Sequence, residues 1–360
     1  MREWHYNFDP VSKQEWIRQI EADLRQKPVE SLQSEWWPGE PLVPFVAAED
    51  SNAQFVCLPT ALFTRAPLIA EYITTSNAEL AMVNHRILQA LKQGVQYIIF
   101  QTPASSSQFD EAWLTGVHKE MIEVAIQPSM DSHEPISTGV ADVYGALTRI
   151  ARNDSSIPLS AILNPSGVEY TKVDTLRFIY HFPSSGVWDK ATAKTFSSFM
   201  EDLKEWISHG YDPESFFRKS IITVEADQSY FKHIIQTRVL HLIWNNLKQH
   251  FISDAESDFN HYLECHIAPQ EQERADHFLI RASMSALAAS LCGTQVICIH
   301  PSAILDNAEF YERIHRNIHY LLQLESDMYK GVDPLAGAYA IDWYTSSWAQ
   351  HIWDTIPLEK

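Results

Sequence analysis

The chain is poor in cysteine: four in 360 residues, Cys57, Cys265, Cys292 and Cys298, with no Cys-x-x-Cys spacing. Disulfide frameworks and cysteine-rich zinc motifs are thereby excluded, and thiols in apolar surroundings are expected to serve as small core residues. Positive charge is scarce too. Lys and Arg number 27 against 46 Asp and Glu, for a net charge of −19 and no basic stripe. Such a field repels phosphate backbones, so nucleic acid is not expected as a partner. The same field opposes an anionic coenzyme A ester unless a local basic patch compensates, and no dense cluster of Lys and Arg is present. Apolar runs fall far short of the ~20 residues of a membrane-spanning helix. The start, Met1-Arg-Glu-Trp-His, lacks a charged segment leading into an apolar one. A soluble, cytoplasmic chain with no membrane partner is the expectation.

Hydrophobic residues make up 45% and aromatics 12%, enough for a large core. Residues 1–60 differ from the rest. A short amphipathic helix over Ser12 to Gln26 precedes Trp36-Trp37-Pro38-Gly39 and an extended Pro41-Leu-Val-Pro-Phe-Val46. Prolines at 38, 41 and 44 exclude a central strand. An arm so rich in Trp and Pro must lie on its own barrel or on another subunit, since exposure would leave a large apolar patch.

From residue 61 onward, short apolar runs alternate with helical periods, the pattern of a parallel sheet with crossover helices. Strands are predicted at 66–73, 95–102, 122–128, 158–164, 174–181, 220–226, 261–267 and 294–301. Helices are predicted at Asn77 to Gln93, Ile136 to Arg152, Ala191 to Ser208, Gln228 to His250, Glu273 to Leu291 and Ala308 to Glu325. Ser76 or Asn77 can cap the first, and Gly94 and Gly293 fall where helices stop. Eight strands make an α/β fold of the (β/α)8 barrel type, which needs about 250 residues plus insertions. Residues 165–174 leave too little chain for a full crossover after the fourth strand.

Near the C-terminus, Arg313-Ile-His-Arg-Asn-Ile-His-Tyr-Leu-Leu-Gln-Leu-Glu325-Ser326 leads into Val332-Asp333-Pro334-Leu-Ala-Gly337-Ala-Tyr339-Ala-Ile-Asp342. Pro334 fixes φ, Gly337 accepts a positive φ and Asp333 caps nearby N–H groups, so the chain reverses after the helix. This stretch resembles the last barrel segment of the methylmalonyl-CoA mutase family. Other segments resemble that family in chain order. They are Leu68-Ile-Ala-Glu-Tyr72 with Asn77 and the helix to Gly94-Val95, Leu163-Asn-Pro-Ser-Gly167, Leu176-Arg-Phe-Ile-Tyr180-His181, Ala226-Asp227-Gln228 with Arg238 and Trp244, and Arg281 to Gly293. Within the family the likeness is greatest to the small (beta) subunit of the two-chain enzymes.

The resemblance implies an adenosylcobalamin-dependent interconversion of succinyl-CoA and methylmalonyl-CoA in propionate metabolism. It implies an acyl-CoA threaded along the barrel axis and a cofactor carried on the barrel mouth by a separate C-terminal domain. That domain is not expected in this chain, which has no Asp-x-His-x-x-Gly motif; Asp131-Ser-His133 is the nearest approach and reads better as a polar loop. Ala70-Glu71-Tyr72 stands where active members carry Arg-Gln-Tyr, so an anion replaces a cation suited to the ester. Tyr180-His181 matches the family's Tyr-His pair, but Phe182-Pro183 follows in place of a polar or acidic residue and Ala-Gly. Tyr72, Tyr180 and His181 are therefore read as vestigial site residues. His181 is expected as a hydrogen-bonded structural histidine. Tyr97, Ile99, Phe178, Tyr180, Ile297 and Ile299 put bulk on alternating positions of three strands, which predicts little or no channel. The implied role is a non-catalytic subunit of an isomerase, partnered by a large catalytic mutase subunit in a heterodimer whose partner binds the adenosylcobalamin.

Two rivals remain open. His181, Glu225, Asp227, His266 and His300 fall near strand C-termini, where a metal-dependent barrel hydrolase would build its site, although no His-x-His marks the first strand. Alternatively, the chain is an active acyl-CoA mutase barrel using a separate cobalamin-binding protein. His315 and His319 sit one helical turn apart and are expected on an exposed helix face rather than as metal ligands.

Overall fold

The computed structural model describes residues 11–37, 40–43, 45–47, 50, 56–74, 80–102, 111–117, 122–128, 159–163, 176–184, 188–252, 262–301, 308–326, 328–329 and 331–356. Eight parallel strands close into a barrel: β3 (Leu68–Thr74), β4 (Tyr97–Thr102), β5 (Glu123–Pro128), β6 (Leu159–Leu163), β7 (Leu176–Phe182), β8 (Ser220–Glu225), β9 (Tyr262–Ile267) and β10 (Val296–Ile299). β10 returns to pair with β3, Val296 opposite Leu68. All eight predicted strands are present. The sequence signal was strong because most strands are rich in apolar residues, and β4, β8, β9 and β10 are buried on both faces where side chains are described.

Around the barrel stand α2 (Leu80–Lys92), α3 (Trp188–Ser208), α4 (Pro213–Lys219), α5 (Tyr230–Phe251), α6 (Ala275–Leu291), α7 (Ala308–Tyr320) and α8 (Tyr339–Trp353). α7 widens into a π-helical turn over Leu321–Glu325. α4 was not anticipated, being only seven residues long; Asp212 caps it, its Oδ2 accepting from Ser215 N at 2.9 Å, with Pro213 in the first turn. The predicted helix over 136–152, the cap at 76–77, the short crossover at 165–174, the 131–133 loop and the 164–167 turn lie outside the described residues. Gly94 and Gly293 end α2 and α6 with positive φ, as their placement suggested.

The main core joins the outer faces of β7 to β10 to the helices. Phe199 contacts Phe216, Phe217 and Trp244, and Trp188 stacks on Trp348 at 5.0 Å, linking α3 to α8. α5 is buried on nearly every side. It therefore carries polar groups inside the protein, and one of them organises the chain's two ends. Arg238 is 0% exposed; its Nη1 lies 2.9 Å from Asp333 Oδ1, and its Nη2 donates to Val56 O at 2.6 Å and lies 3.7 Å from Asp342 Oδ1. Asp333 also accepts from Leu335 N and Leu58 N, while Gly337 takes φ +83° and donates its N–H to Asp342. The Asp-Pro-x-x-Gly turn is thus a capped reversal, as its residues predicted, with a buried guanidinium added.

The arm begins with α1 (Lys13–Asp23), opened by a capping box in which Ser12 Oγ accepts from Glu15 N and Glu15 Oε2 from Ser12 N. β1 (Ser34–Trp37) and β2 (Glu40–Leu42) then form an antiparallel hairpin, short and proline-bearing as an isolated edge demands. At Val43 and Val46 the arm meets its own barrel. Val43 N donates to Tyr344 Oη at 2.7 Å, and Val46 joins the main core. α1 buries no side chain; Trp16 stacks on the exposed Phe45 at 4.2 Å.

Of the cysteines, 265, 292 and 298 are buried, but Cys57 is exposed, against the expectation that all four are core residues. It sits where the arm is extended and offers only one face to the barrel. Among the described residues no helix is long and apolar enough to cross a membrane.

Candidate functional site

The period-two alternation of a strand sends one set of side chains to the axis and the other to the helices. Ala70, Tyr72, Tyr97, Ile99, Ala125, Val296 and Cys298 form one buried cluster inside the barrel. Ile69, Ile73, Ile98 and Phe100 pack outward, as do Ile222, Val224, Leu263, Cys265, Ile297 and Ile299. Of the bulky set named from the sequence, Tyr97 and Ile99 face the axis, whereas Tyr180, Ile297 and Ile299 face the helices. Phe178 lies where side chains are not described.

Polar groups share the inner face. Tyr97 Oη donates to Glu264 Oε1 at 2.8 Å. Two strands, β10 and β3, separate β9 from β4 around the barrel, so this hydrogen bond crosses the lumen. Glu264 Oε2 lies 3.4 Å from His266 Nε2, and His266 Nδ1 lies 2.9 Å from His300 Nε2. The His300 ring packs on Tyr72 at 4.4 Å. Burial, with His266 beside it, lowers His300 to about 3, so its imidazole is neutral at ordinary pH. Burial raises the Cys298 thiol well above its usual range, and the Glu264 and Glu71 charges add to the rise.

Nearer the strand ends, His181 Nδ1 is 3.1 Å from Thr223 Oγ1 and its Nε2 is 3.4 Å from Glu225 Oε1. Ser184 N donates to Glu225 Oε2 at 3.4 Å. The His181 hydrogen bond holds the Glu225 carboxyl below its ordinary value, against the effect of burial. His181 is hydrogen-bonded as expected, but its side chain is 41% exposed, so it can meet a ligand or partner. Together these groups offer two carboxylates, imidazole ring nitrogens and a phenol, suited to proton transfer or to holding a cation.

The structure brings together His181, Glu225, His266 and His300 of the residues considered as metal ligands, and leaves out Asp227. That carboxylate faces α5, accepting from Ser229 N at 2.8 Å and pairing with Lys232 Nζ at 3.0 Å. Tyr72 lines the interior. Tyr180 points away from it, meeting Phe199 edge-on and donating to Asp202 Oδ2 at 2.9 Å. Burial there raises Asp202 to about 6.

The charge reversal at the first strand does not reach the axis. Glu71 faces the helices, with Arg316 Nη1 at 2.5 Å and Arg86 Nε at 3.8 Å, and it is Ala70 that lines the lumen. The Glu71 charge is therefore directed away from the lumen. His315 and His319 do not lie on an exposed face: they are 5% and 3% exposed, because the basic face of α7 turns toward the barrel to meet Glu71, and burial pushes each down to about 4. Tyr97, Glu264 and Cys298 were missed as site residues. A signal existed in Glu264-Cys-His266, where spacing of two puts both ionisable groups on one face of a strand.

The fold and site define a parallel α/β barrel with ionisable groups gathered at the C-terminal ends of its strands, where such barrels build active sites. The family profile of methylmalonyl-CoA mutase matches residues 179–358, half the chain, and the protein belongs to that family. It is 26% identical over 204 residues to a methylmalonyl-CoA mutase of Cereibacter sphaeroides, covering 52% of this chain and 28% of that relative. It is 22% identical over 394 residues to the methylmalonyl-CoA mutase small subunit of Porphyromonas gingivalis, covering 96% of this chain and 62% of that one. The large subunit from the same organism is 27% identical over 188 residues, 49% of this chain and 26% of that chain. The chain thus spans over a quarter of the Cereibacter mutase's length and under two thirds of the small subunit's.

Proposed function

We propose that this chain is the small, non-catalytic subunit of an adenosylcobalamin-dependent acyl-CoA mutase, packed against a large subunit that carries cofactor and chemistry. The observation that carries the reading is the Tyr97–Glu264 hydrogen bond. An acyl-CoA threaded along the axis would have to push these buried side chains apart and pass a carboxylate, with Ala70 in place of a cation. Desolvating an anion beside an anion is costly. The alignment over 96% of the chain with a small subunit supports the same reading.

The residues present do not fit a resident cobalamin. The sequence has no Asp-x-His-x-x-Gly, and His181, the exposed histidine at the mouth, is engaged with Thr223 and Glu225. The cofactor is assigned to the partner.

In this assembly the barrel is a rigid support, and the arm is the contact element. Val43 and Val46 fasten the arm to the barrel, α1 and the β1–β2 hairpin precede that anchor, and Val11, Leu32 and Phe45 are exposed. Burial of such groups in an interface of standard size would stabilise a pair.

Co-expression with a large mutase subunit should give a 1:1 complex by light scattering, and removing residues 1–42 should weaken it at least tenfold while leaving the barrel folded. Unchanged assembly would remove the arm from the interface. Micromolar binding of a CoA ester to the isolated chain would overturn the non-catalytic reading and favour an active barrel served by a separate cobalamin protein.

A further inference from the structure

We infer that the barrel interior binds one divalent ion of zinc type through His266, His300 and Cys298. Ligand atoms of these three side chains lie within 4.8 Å of one another. Register explains why. Cys298 pairs directly with His266 across β10 and β9, and His300 follows two residues later on the same face, its N–H tied to Ile267 O at 2.9 Å. His266 and Cys298 stand on strands and His300 one residue beyond β10, still tied to β9 through its N–H, which gives precision to a coordination site.

Outer groups already orient the ligands. Glu264 Oε2 stands at His266 Nε2, so a proton on that nitrogen leaves the Nδ1 lone pair facing His300 and Cys298. Glu264 is held in turn by the Tyr97 hydroxyl on its other oxygen. A carboxylate behind a ligating imidazole is the usual support of a metal-bound histidine. Two imidazoles and a thiolate suit a borderline ion, and three protein ligands leave a fourth position for water.

The fit is close. Two nitrogens each about 2.0–2.1 Å from zinc at the tetrahedral angle stand about 3.3 Å apart, a few tenths of an ångström more than the present 2.9 Å. Entry of the ion replaces the His266–His300 hydrogen bond by two metal–nitrogen bonds. The His300 proton moves to its other ring nitrogen, and the Cys298 thiol gives up its proton to solvent as the metal–sulfur bond forms. No oxidant or reductant is required.

The full chain, purified without a histidine tag and stripped with a chelator, tests this by equilibrium dialysis against Zn²⁺ and by Co²⁺ titration. Expected are one ion per chain and a thiolate-to-cobalt charge-transfer band in the near ultraviolet. Cys298→Ser should abolish the band, and Glu264→Gln should weaken affinity about 10–100-fold. A wild-type Co²⁺ complex without the thiolate band overturns the inference whether or not any variant folds. So does a stoichiometry unchanged in the His266→Ala, His300→Ala double variant, which would place the ion on other histidines.

Discussion

Two buried polar networks can be set side by side. Outside the strands, Arg238 meets Asp333 and Asp342 and binds the arm at Val56. Inside them, Glu264 meets a phenol and an imidazole, and the line continues through His266 to His300. The outer network gives each carboxylate a cation or backbone N–H and joins four pieces of chain, so it serves the fold. The inner one gathers a phenol, a carboxylate and two imidazoles across the lumen, where a threaded substrate would have to pass. A buried ion pair need not be stabilising relative to an apolar core, but breaking one half strands the other.

The largest effect should come from the outer network. Arg238→Met removes the counter-charge of two buried carboxylates and the donor to the Val56 carbonyl, and should cost about 3–5 kcal/mol in urea unfolding. A cost under about 1 kcal/mol would show that the network does not hold the arm and the C-terminal turn together. Next comes pH. Burial lowers His233 to about 4 and His319 to about 4, and burial with the nearby Arg238 charge lowers His241 to about 3. Below about pH 6.5 the unfolded chain binds protons that the folded chain refuses. Stability is therefore full above that pH and falls as pH drops toward the folded values, by up to about 1.4 kcal/mol per pH unit for each group. A flat profile between pH 7 and 5 would contradict the burial of these rings, and His241→Phe should remove some of the slope.

Within the inner network, Tyr97→Phe strands one oxygen of Glu264 and should cost about 1–3 kcal/mol, with CoA-ester binding still absent. Acquired binding would show that this hydrogen bond alone had closed the lumen, sharpening the contrast between the two networks. The smallest effect is expected at Gly293, which belongs to neither. Its φ is +71°, and an added Cβ would lie 2.8 Å from Leu62 Cβ. Gly293→Ala should cost about 1–2 kcal/mol by thermal unfolding.

Much of the barrel was legible because β3 to β10 are continuous apolar runs, and α2, α3 and α5 to α7 repeat near 3.6. The Asp333 turn was legible for a local reason: proline, glycine and a capping carboxylate act within a few residues. α4 escaped because one capped turn carries too little periodicity. The candidate site was half legible. His181, Glu225, His266 and His300 stand at strand ends, but Asp227, equally placed in sequence, turns to Lys232.

The amino-acid order alone determined that this chain forms eight strands with helices between them, that it reverses at Asp333, and that each strand's side chains alternate between two faces. Only the closed barrel decided which face is which. Alternation is symmetric along an isolated strand, and closure with helices packed outside breaks that symmetry. It sent Glu71 to Arg316, Tyr180 to Asp202 and His319 into the helix layer, and it brought Tyr97 across to Glu264 from 167 residues away.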